Sequence, residues 1–277
     1  MKVISRFIKK NILISIFIGL ILFTGFIAII KYPFSKTKDF YVKVKLGQGL
    51  WWANSTQPGI WFLDYLKKGE KEYSFVGKPD AEIIGVRYYQ QTFSNQTYQA
   101  FTSPNQFDIY LLVKISATGD SKNGYSFKRS QISVGVPIDL DFNKAQVSGT
   151  VVAIYQEKPE TKYVEKDITF TKRLAFPWEY DVIKVGDKYF NGEENILEIT
   201  GKQSFDTQSI TDDLYGNLSG QLMDQKKYII VNAKIKLREN SAHQYIYGEE
   251  QVLKENSYVN LVTNNVFLTD FYISEIK

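Results

Sequence analysis

The feature that most constrains this chain is an internal repeat. The stretch from Asp64 to Gly85 returns, degenerate, from Asp181 to Gly201. Asp64, Lys67, Gly69, Glu70, Lys71 and Tyr73 align with Asp181, Lys184, Gly186, Asp187, Lys188 and Phe190, and Glu82-Ile83 and Gly85 with Glu198-Ile199 and Gly201. After an insertion, Val113-Lys114-Ile115 matches Ala233-Lys234-Ile235 and Tyr125-Ser126-Phe127 matches Tyr245-Ile246-Tyr247. Ile138-Asp139-Leu140 then matches Val259-Asn260-Leu261, and the copies close on Ile154 and Ile276. A colinear run of this length predicts tandem duplication of one domain.

Gly69 and Gly186 each follow a short amphipathic run (Trp61, Tyr65, Leu66; Trp178, Val182, Val185) that begins after Pro58 or at Pro177. Proline near a start and glycine just past an end predict a short helix with a left-handed glycine cap. Glycine there supplies a positive φ, so the turn reads as structural and not as a ligand loop.

Ahead of the repeats, Lys2, Arg6, Lys9 and Lys10 precede an uncharged run of mainly Ile, Leu and Phe from Asn11 to Ile30. About 20 residues of helix match the hydrocarbon thickness of a bilayer. Lys31-Tyr32-Pro33-Phe34 follows where a cleavable signal peptide would carry small residues. The expectation is a cytoplasmic tail at 1–10, an uncleaved single-pass anchor at 11–31 in a cell (inner) membrane, and everything beyond it outside the cytoplasm. Residues 1–39 carry a net +6 in a chain whose total is +4, so 40–277 stands at −2. That balance offers no surface for nucleic acid. Cysteine is absent, which removes disulfides, thiol chemistry and thiolate metal sites.

The fold expected after the anchor is all-β: two tandem β-sandwich or β-barrel-like domains with short helical insertions, one at 40–155, a linker at 156–163, and its repeat at 164–277. Phe40 to Leu46 alternates apolar and polar residues, as does Val164 to Arg173. Phe107 to Ala117 and Tyr228 to Leu237 are the strongest strands of each copy, and Asn123-Gly124 marks a tight turn. Residues 88–106 form a polar, aromatic insertion, and 204–226 takes its place in copy two. There Ile210, Leu214, Leu218 and Leu222 recur every four residues behind Ser209, which predicts an amphipathic helix. Trp61, echoed by Trp178, is read as core filling beside the short helix. Trp51 and Trp52 have no counterpart and suit a surface role.

Residues 40–155 resemble a bacterial family of single-span membrane proteins called domain of unknown function 4330. The resemblance rests on Leu66-Lys67-Lys68-Gly69-Glu70-Lys71, Ala81-Glu82-Ile83, Ile109-Tyr110-Leu111-Leu112, the block Val134-Gly135-Val136-Pro137-Ile138-Asp139-Leu140, and the closing Val147 to Ile154. The tryptophan-rich segment at 51–61 and the second copy lie outside that pattern. The resemblance implies fold and topology, and brings no assigned chemistry.

For function, the one histidine, His243, lies in a polar turn context away from any nucleophile motif. Hydrolase, zincin and phosphate-loop signatures are missing. A two-carboxylate hydrolase would have to use repeated residues such as Glu82 and Glu198, which occupy the same place in different copies. Asp139 and Asp141 could suggest a metal, but Asn260 replaces Asp139 in copy two, so no metal and no cofactor is expected. An adaptor of a transport or secretion system also pairs an anchor with β-domains, though this chain lacks the long heptad hairpin of such adaptors. The reading chosen is a non-catalytic binding or accessory subunit of a cell-envelope assembly, touching the bilayer through 11–30 and a protein or glycan partner through loops. The candidate contact residues are Trp51, Trp52, Tyr88, Tyr89, Phe93, Tyr98 and Phe101.

Overall fold

A computed structural model describes residues 12–31, 37–47, 58–75, 77–94, 100–212 and 218–277 of the chain. Helix α1 (Ile12–Lys31) opens it. Its described side chains, among them Ile16, Phe17, Leu20, Leu22 and Phe26, are exposed. Among the described residues no helix is long and apolar enough to cross a membrane.

The rest is all-β, in two curled antiparallel sheets. Copy one supplies β1 (Thr37–Leu46), β2 (Lys71–Tyr73), β3 (Pro79–Ser94), β4 (Ala100–Asp120), β5 (Gly124–Phe127), β6 (Ser130–Gln131), β7 (Pro137–Phe142) and β8 (Ala145–Tyr155). Copy two supplies β9 (Val164–Ala175), β10 (Lys188–Phe190), β11 (Asn195–Asp212), β12 (Leu218–Glu239), β13 (Tyr245–Tyr247), β14 (Gln251–Leu253), β15 (Tyr258–Val262) and β16 (Phe267–Ile276). The strand orders, β2-β3-β4-β1-β8-β7 and β10-β11-β12-β9-β16-β15, become one another when each strand is exchanged for its counterpart.

The repeat extends to single residues. Glu82 faces Lys114 and Ile83 faces Val113, as Glu198 faces Lys234 and Ile199 faces Ala233, and a bulge follows at Ile83/Gly85 and at Ile199/Gly201. Period-two alternation drives the inner faces into the cores. Val42, Val44 and Leu46 of β1, Ile109, Leu111, Val113 and Ile115 of β4, and Ile229, Val231, Ala233, Ile235 and Leu237 of β12 are all buried. Compactness divides the chain differently from the repeat: one unit is Met1–Asp39 with Ser116–Ile132, and the other, Phe40–Ile115 with Ser133–Lys277, holds most of both copies.

Several expectations are corrected. The amphipathic helix predicted within 204–226 is strand: β11 runs through Ile210, and Leu218 and Leu222 lie on β12. A spacing of four is also a multiple of two, so the same residues share one face of a strand. Leu214 lies outside the described residues. The described residues of the insertion, 88–94 and 100–106, likewise continue the β3–β4 hairpin, with Phe93 opposite Phe101. The short helices exist as a 3₁₀ turn at Ile60–Asp64 and as α2 (Pro177–Val182). Trp61 and Trp178 do not fill a core, since each is 61% exposed.

Nor do the repeated glycines cap those helices. Glu70 N–H donates to the Lys67 carbonyl, and Asp187 N–H to that of Lys184, both at 3.1 Å. Gly69 and Gly186 are therefore third residues of tight turns, with φ of 90° and 91°, as a type II turn requires. Each then donates its N–H at 2.8 Å to Ile83 or Ile199, seating the turn on the next strand. A Cβ at either glycine would meet nothing within 4 Å. Conformation alone therefore sets the cost of a side chain. Gly69→Ala and Gly186→Ala are each expected to lower stability by about 1 kcal/mol, read as equal shifts in urea midpoint with unchanged slope.

Candidate functional site

The bulge at Ile83/Gly85 shifts the parity of β3. Past it, Arg87 stands opposite Tyr110 and Tyr89 opposite Asp108. All four lie on the face of the sheet turned away from Ile109 and Leu111, as do Lys43 and Lys45, which alternate with buried Val42 and Val44 on β1. By composition this face should be solvated. It is instead covered by two turns of copy two, at 191–193 and 248–250.

Glu249 forms the centre of the contact. Its side chain is 4% exposed, and its carboxylate meets Lys43 Nζ at 2.8 Å, Arg238 Nη2 at 2.9 Å and Arg87 Nη1 at 3.4 Å. Two of those cations belong to copy one and the third to β12 of copy two. Arg238 also donates to the Gly248 carbonyl at 3.2 Å and the Glu249 carbonyl at 3.0 Å, fixing the turn that presents the carboxylate. Arg87 spreads its fork further, to Glu193 at 2.6 Å and to the Thr161 hydroxyl at 2.7 Å. The expected linker at 156–163 thus contains an anchored residue. Burial pulls the Lys43 ammonium below its ordinary value, with Arg238 and Arg87 adding to that pull against Glu249.

The second turn docks through backbone. Tyr88 N–H donates to the Asn191 carbonyl at 2.9 Å, while the Asn191 side chain accepts from Glu193 and Glu194 N–H, both at 2.9 Å. Tyr189 Oη bridges the copies, donating to the Tyr88 carbonyl and accepting from Gln90 N–H, each at 3.1 Å. Close approach requires glycine at both turns. A Cβ on Gly192, where φ is 100°, would stand 2.6 Å from the Val86 carbonyl oxygen, and one on Gly248, where φ is 64°, 3.0 Å from the Tyr89 ring.

Beside Glu249 the two copies leave a cleft of about 320 Å³. Tyr89, Tyr110, Tyr189 and Tyr247 form its aromatic walls, and Asp108, Glu250, Gln251 and Asn260 are among its polar ones. Burial is the largest cause raising all four phenols, so each keeps its proton at neutral pH. Glu250 accepts from Tyr110 Oη at 2.6 Å and from Lys45 Nζ at 2.7 Å. Burial alone would raise its carboxyl, but these bonds and the Lys45 charge hold it below its ordinary value. Asp108 is shifted the other way, raised by burial and by Glu250 against the pull of Lys45. Lys45 Nζ stands 3.7 Å from Asp108 Oδ1, which is buried and without a hydrogen-bond partner.

Of the residues singled out from sequence, Tyr88 and Tyr89 lie at this contact. The Tyr88 ring packs edge-on to Phe107 at 5.9 Å, and Tyr89 reaches the core of copy two, accepting from Asn191 Nδ2 at 3.4 Å. Phe93 and Phe101 are register partners on the hairpin arm, away from the cleft. Trp51, Trp52 and Tyr98 lie outside the described residues. Glu82 and Glu198 serve cross-strand pairs, with Lys71 at 3.6 Å and Lys188 at 3.1 Å. The Asp139 carboxylate accepts from the Ser148 hydroxyl at 2.6 Å. His243 is exposed in its turn and pairs with Glu239. Among the described residues, no group of three His, Asp or Glu is placed to hold a metal ion.

Sequence reasoning missed Lys43, Arg87, Tyr110, Glu193, Glu249 and Glu250. The available signal was divergence between copies: Gly248-Glu249-Glu250 stands where copy one has Lys128-Arg129-Ser130. Comparison with protein-family models, with curated proteins and with solved structures finds no match.

Glu249→Gln leaves three cations facing a neutral amide in a water-poor site, and is expected to lower stability by about 3 kcal/mol in urea denaturation. The two carboxylates of the cleft act oppositely with pH. Glu250 has a depressed folded-state pKa, so its stabilisation is present above its unfolded value near 4.5 and is lost as pH falls below it. Asp108, raised from 3.8, stabilises at lower pH and loses that contribution as pH rises through its folded value. Denaturation midpoints measured from pH 3 to 7 should show Glu250→Gln flattening the acid limb and Asp108→Asn raising the neutral plateau.

Proposed function

We propose that this chain is a single-pass, membrane-anchored extracytoplasmic protein that acts without catalysis as a binding or accessory subunit of a cell-envelope assembly. In this reading 1–10 is the cytoplasmic tail and 11–31 the anchor. The β-domains at 40–155 and 164–277, each curling toward a barrel-like form, hold the partner-contact arms outside the membrane. Their joining segment is 156–163. The resemblance of 40–155 to domain of unknown function 4330 agrees with an anchored β-domain and is carried as part of the proposal.

The observation that supports a binding role most is the pair of hairpin arms. In copy two, β9 pairs with β12 from Lys227 to Leu237, while Gln208–Asp212 pairs with Leu218–Leu222 beyond that stretch. In copy one the equivalent arm carries Thr92 opposite Thr102 and Phe93 opposite Phe101. A two-stranded ribbon is marginally stable in water by itself. A partner strand or surface laid against it supplies what the ribbon lacks. The exposed Trp61 and Trp178, at matching places in the two copies, add large aromatic surface of the kind that anchors interfaces.

Two measurements test this. Carbonate extraction of native membranes should leave the full chain in the pellet and release a chain lacking 1–31; full-length protein in the soluble fraction would count against the anchor. Photoreactive groups at Phe93 and at Ile210 should capture one and the same envelope component, with capture lost when the arms are shortened to Gln90–Phe107 and Asp206–Lys227. Labelling that is diffuse, or that survives the shortening, would dismiss the arms as the contact site.

A further inference from the structure

We propose that the cleft between the two copies, lined by Tyr89, Tyr110, Tyr189, Tyr247, Asp108 and Gln251, is a binding site for a neutral sugar ring. The proposal deepens the reading of the chain as a binding protein and rests on it for the source of the ligand, an envelope glycan. It uses a place other than the arms.

Size is the first argument. About 320 Å³ lies at the low end of the about 300–1,000 Å³ of small-molecule sites. The second is the mixture of surfaces: tyrosine walls for the apolar C–H face of a ring, and acceptors for its hydroxyls. Asp108 Oδ1 is the sharpest of these, a buried carboxylate oxygen without a hydrogen-bond partner. Such an atom is costly unless a donor reaches it. The Asp108 side chain is 23% exposed, and a hydroxyl entering the cleft would supply a donor once the carboxylate turns this oxygen outward.

Charge balance favours a neutral ligand over a cation. Four carboxylates line the cleft, Asp108, Glu249, Glu250 and Asp270. Glu249 is already met by Lys43, Arg87 and Arg238, and Glu250 by Lys45 and Tyr110. Asp108 shares the Lys45 charge at 3.7 Å. At Asp108, Glu249 and Glu250 an added ammonium would face charges already met by cations, whereas a hydroxyl completes a hydrogen bond and disturbs no pair. The site also exists only when both copies are present, because β3 and β4 form one wall and β10 with β13 to β15 the other. That arrangement explains why the residues here differ between otherwise matching repeats.

The test uses the full chain in detergent micelles, with cellobiose and N,N′-diacetylchitobiose as probes, followed by saturation-transfer NMR and isothermal titration. Saturable binding of at least one disaccharide is expected, with transfer strongest to ring C–H protons. Asp108→Asn and Gln251→Ala should each weaken it at least tenfold while neither lowers the melting temperature. Phe93→Ser, on the arm, should leave it unchanged, so loss of partner capture at the arm and loss of sugar binding are told apart. Absence of saturable binding of both probes overturns the proposal. So does binding that both cleft variants retain, or saturable binding of n-butylammonium where the sugars fail.

Discussion

The arrangement depends on one buried carboxylate. Glu249, 4% exposed, is held by Lys43 and Arg87 from one copy and Arg238 from the other. Desolvating a carboxylate and three cations is unfavourable, and the attraction between them offsets it only where geometry and additional hydrogen bonds are good. Here the bonds are present: Arg238 also holds the Gly248 and Glu249 carbonyls, and Arg87 holds Glu193 and Thr161. A network of this kind specifies one docking more than it adds raw stability.

The matching topology of the two sheets shows how such a contact can be built on one fold. Both copies keep the same strand order, the same bulge after Ile83 or Ile199, and the same glycine turn on β2 or β10. The bulge matters most, because it rotates the following residues onto the outer face. In copy one those residues are Arg87 and Tyr89, which meet the partner copy. In copy two the same register holds Gln203 and Phe205, and Phe205 is 53% exposed. One copy's outer face became a contact while the other's stayed open. The cleft and its polar lining follow from that asymmetry.

Much of the fold was legible in the sequence, because alternation and repeat spacing are local signals. Phe40 to Leu46, Phe107 to Ala117 and Tyr228 to Leu237 fold as their alternation predicts. The spacing of Ile210, Leu218 and Leu222 misled because four residues suit either a helix turn or two strand periods. Gly69 and Gly186 have the positive φ that the sequence predicts but serve tight turns and not helix caps, because both ask for the same conformation. The candidate site was far less legible. Its residues are charged groups on alternating strands, which composition assigns to solvent. Only the closing of one copy on the other makes Lys43 and Glu249 neighbours across 206 residues of chain. Tyr88 and Tyr89, candidate partner contacts by sequence, lie at the contact between the copies.

The central claim is that the two copies form one cooperative body held at Glu249. Differential scanning calorimetry of the full chain in detergent tests it most directly. The account predicts one transition for both sheets in the wild type, splitting in two when Glu249 is replaced by Ala. Two separate transitions in the wild type, or a single unsplit one in the variant, would contradict it.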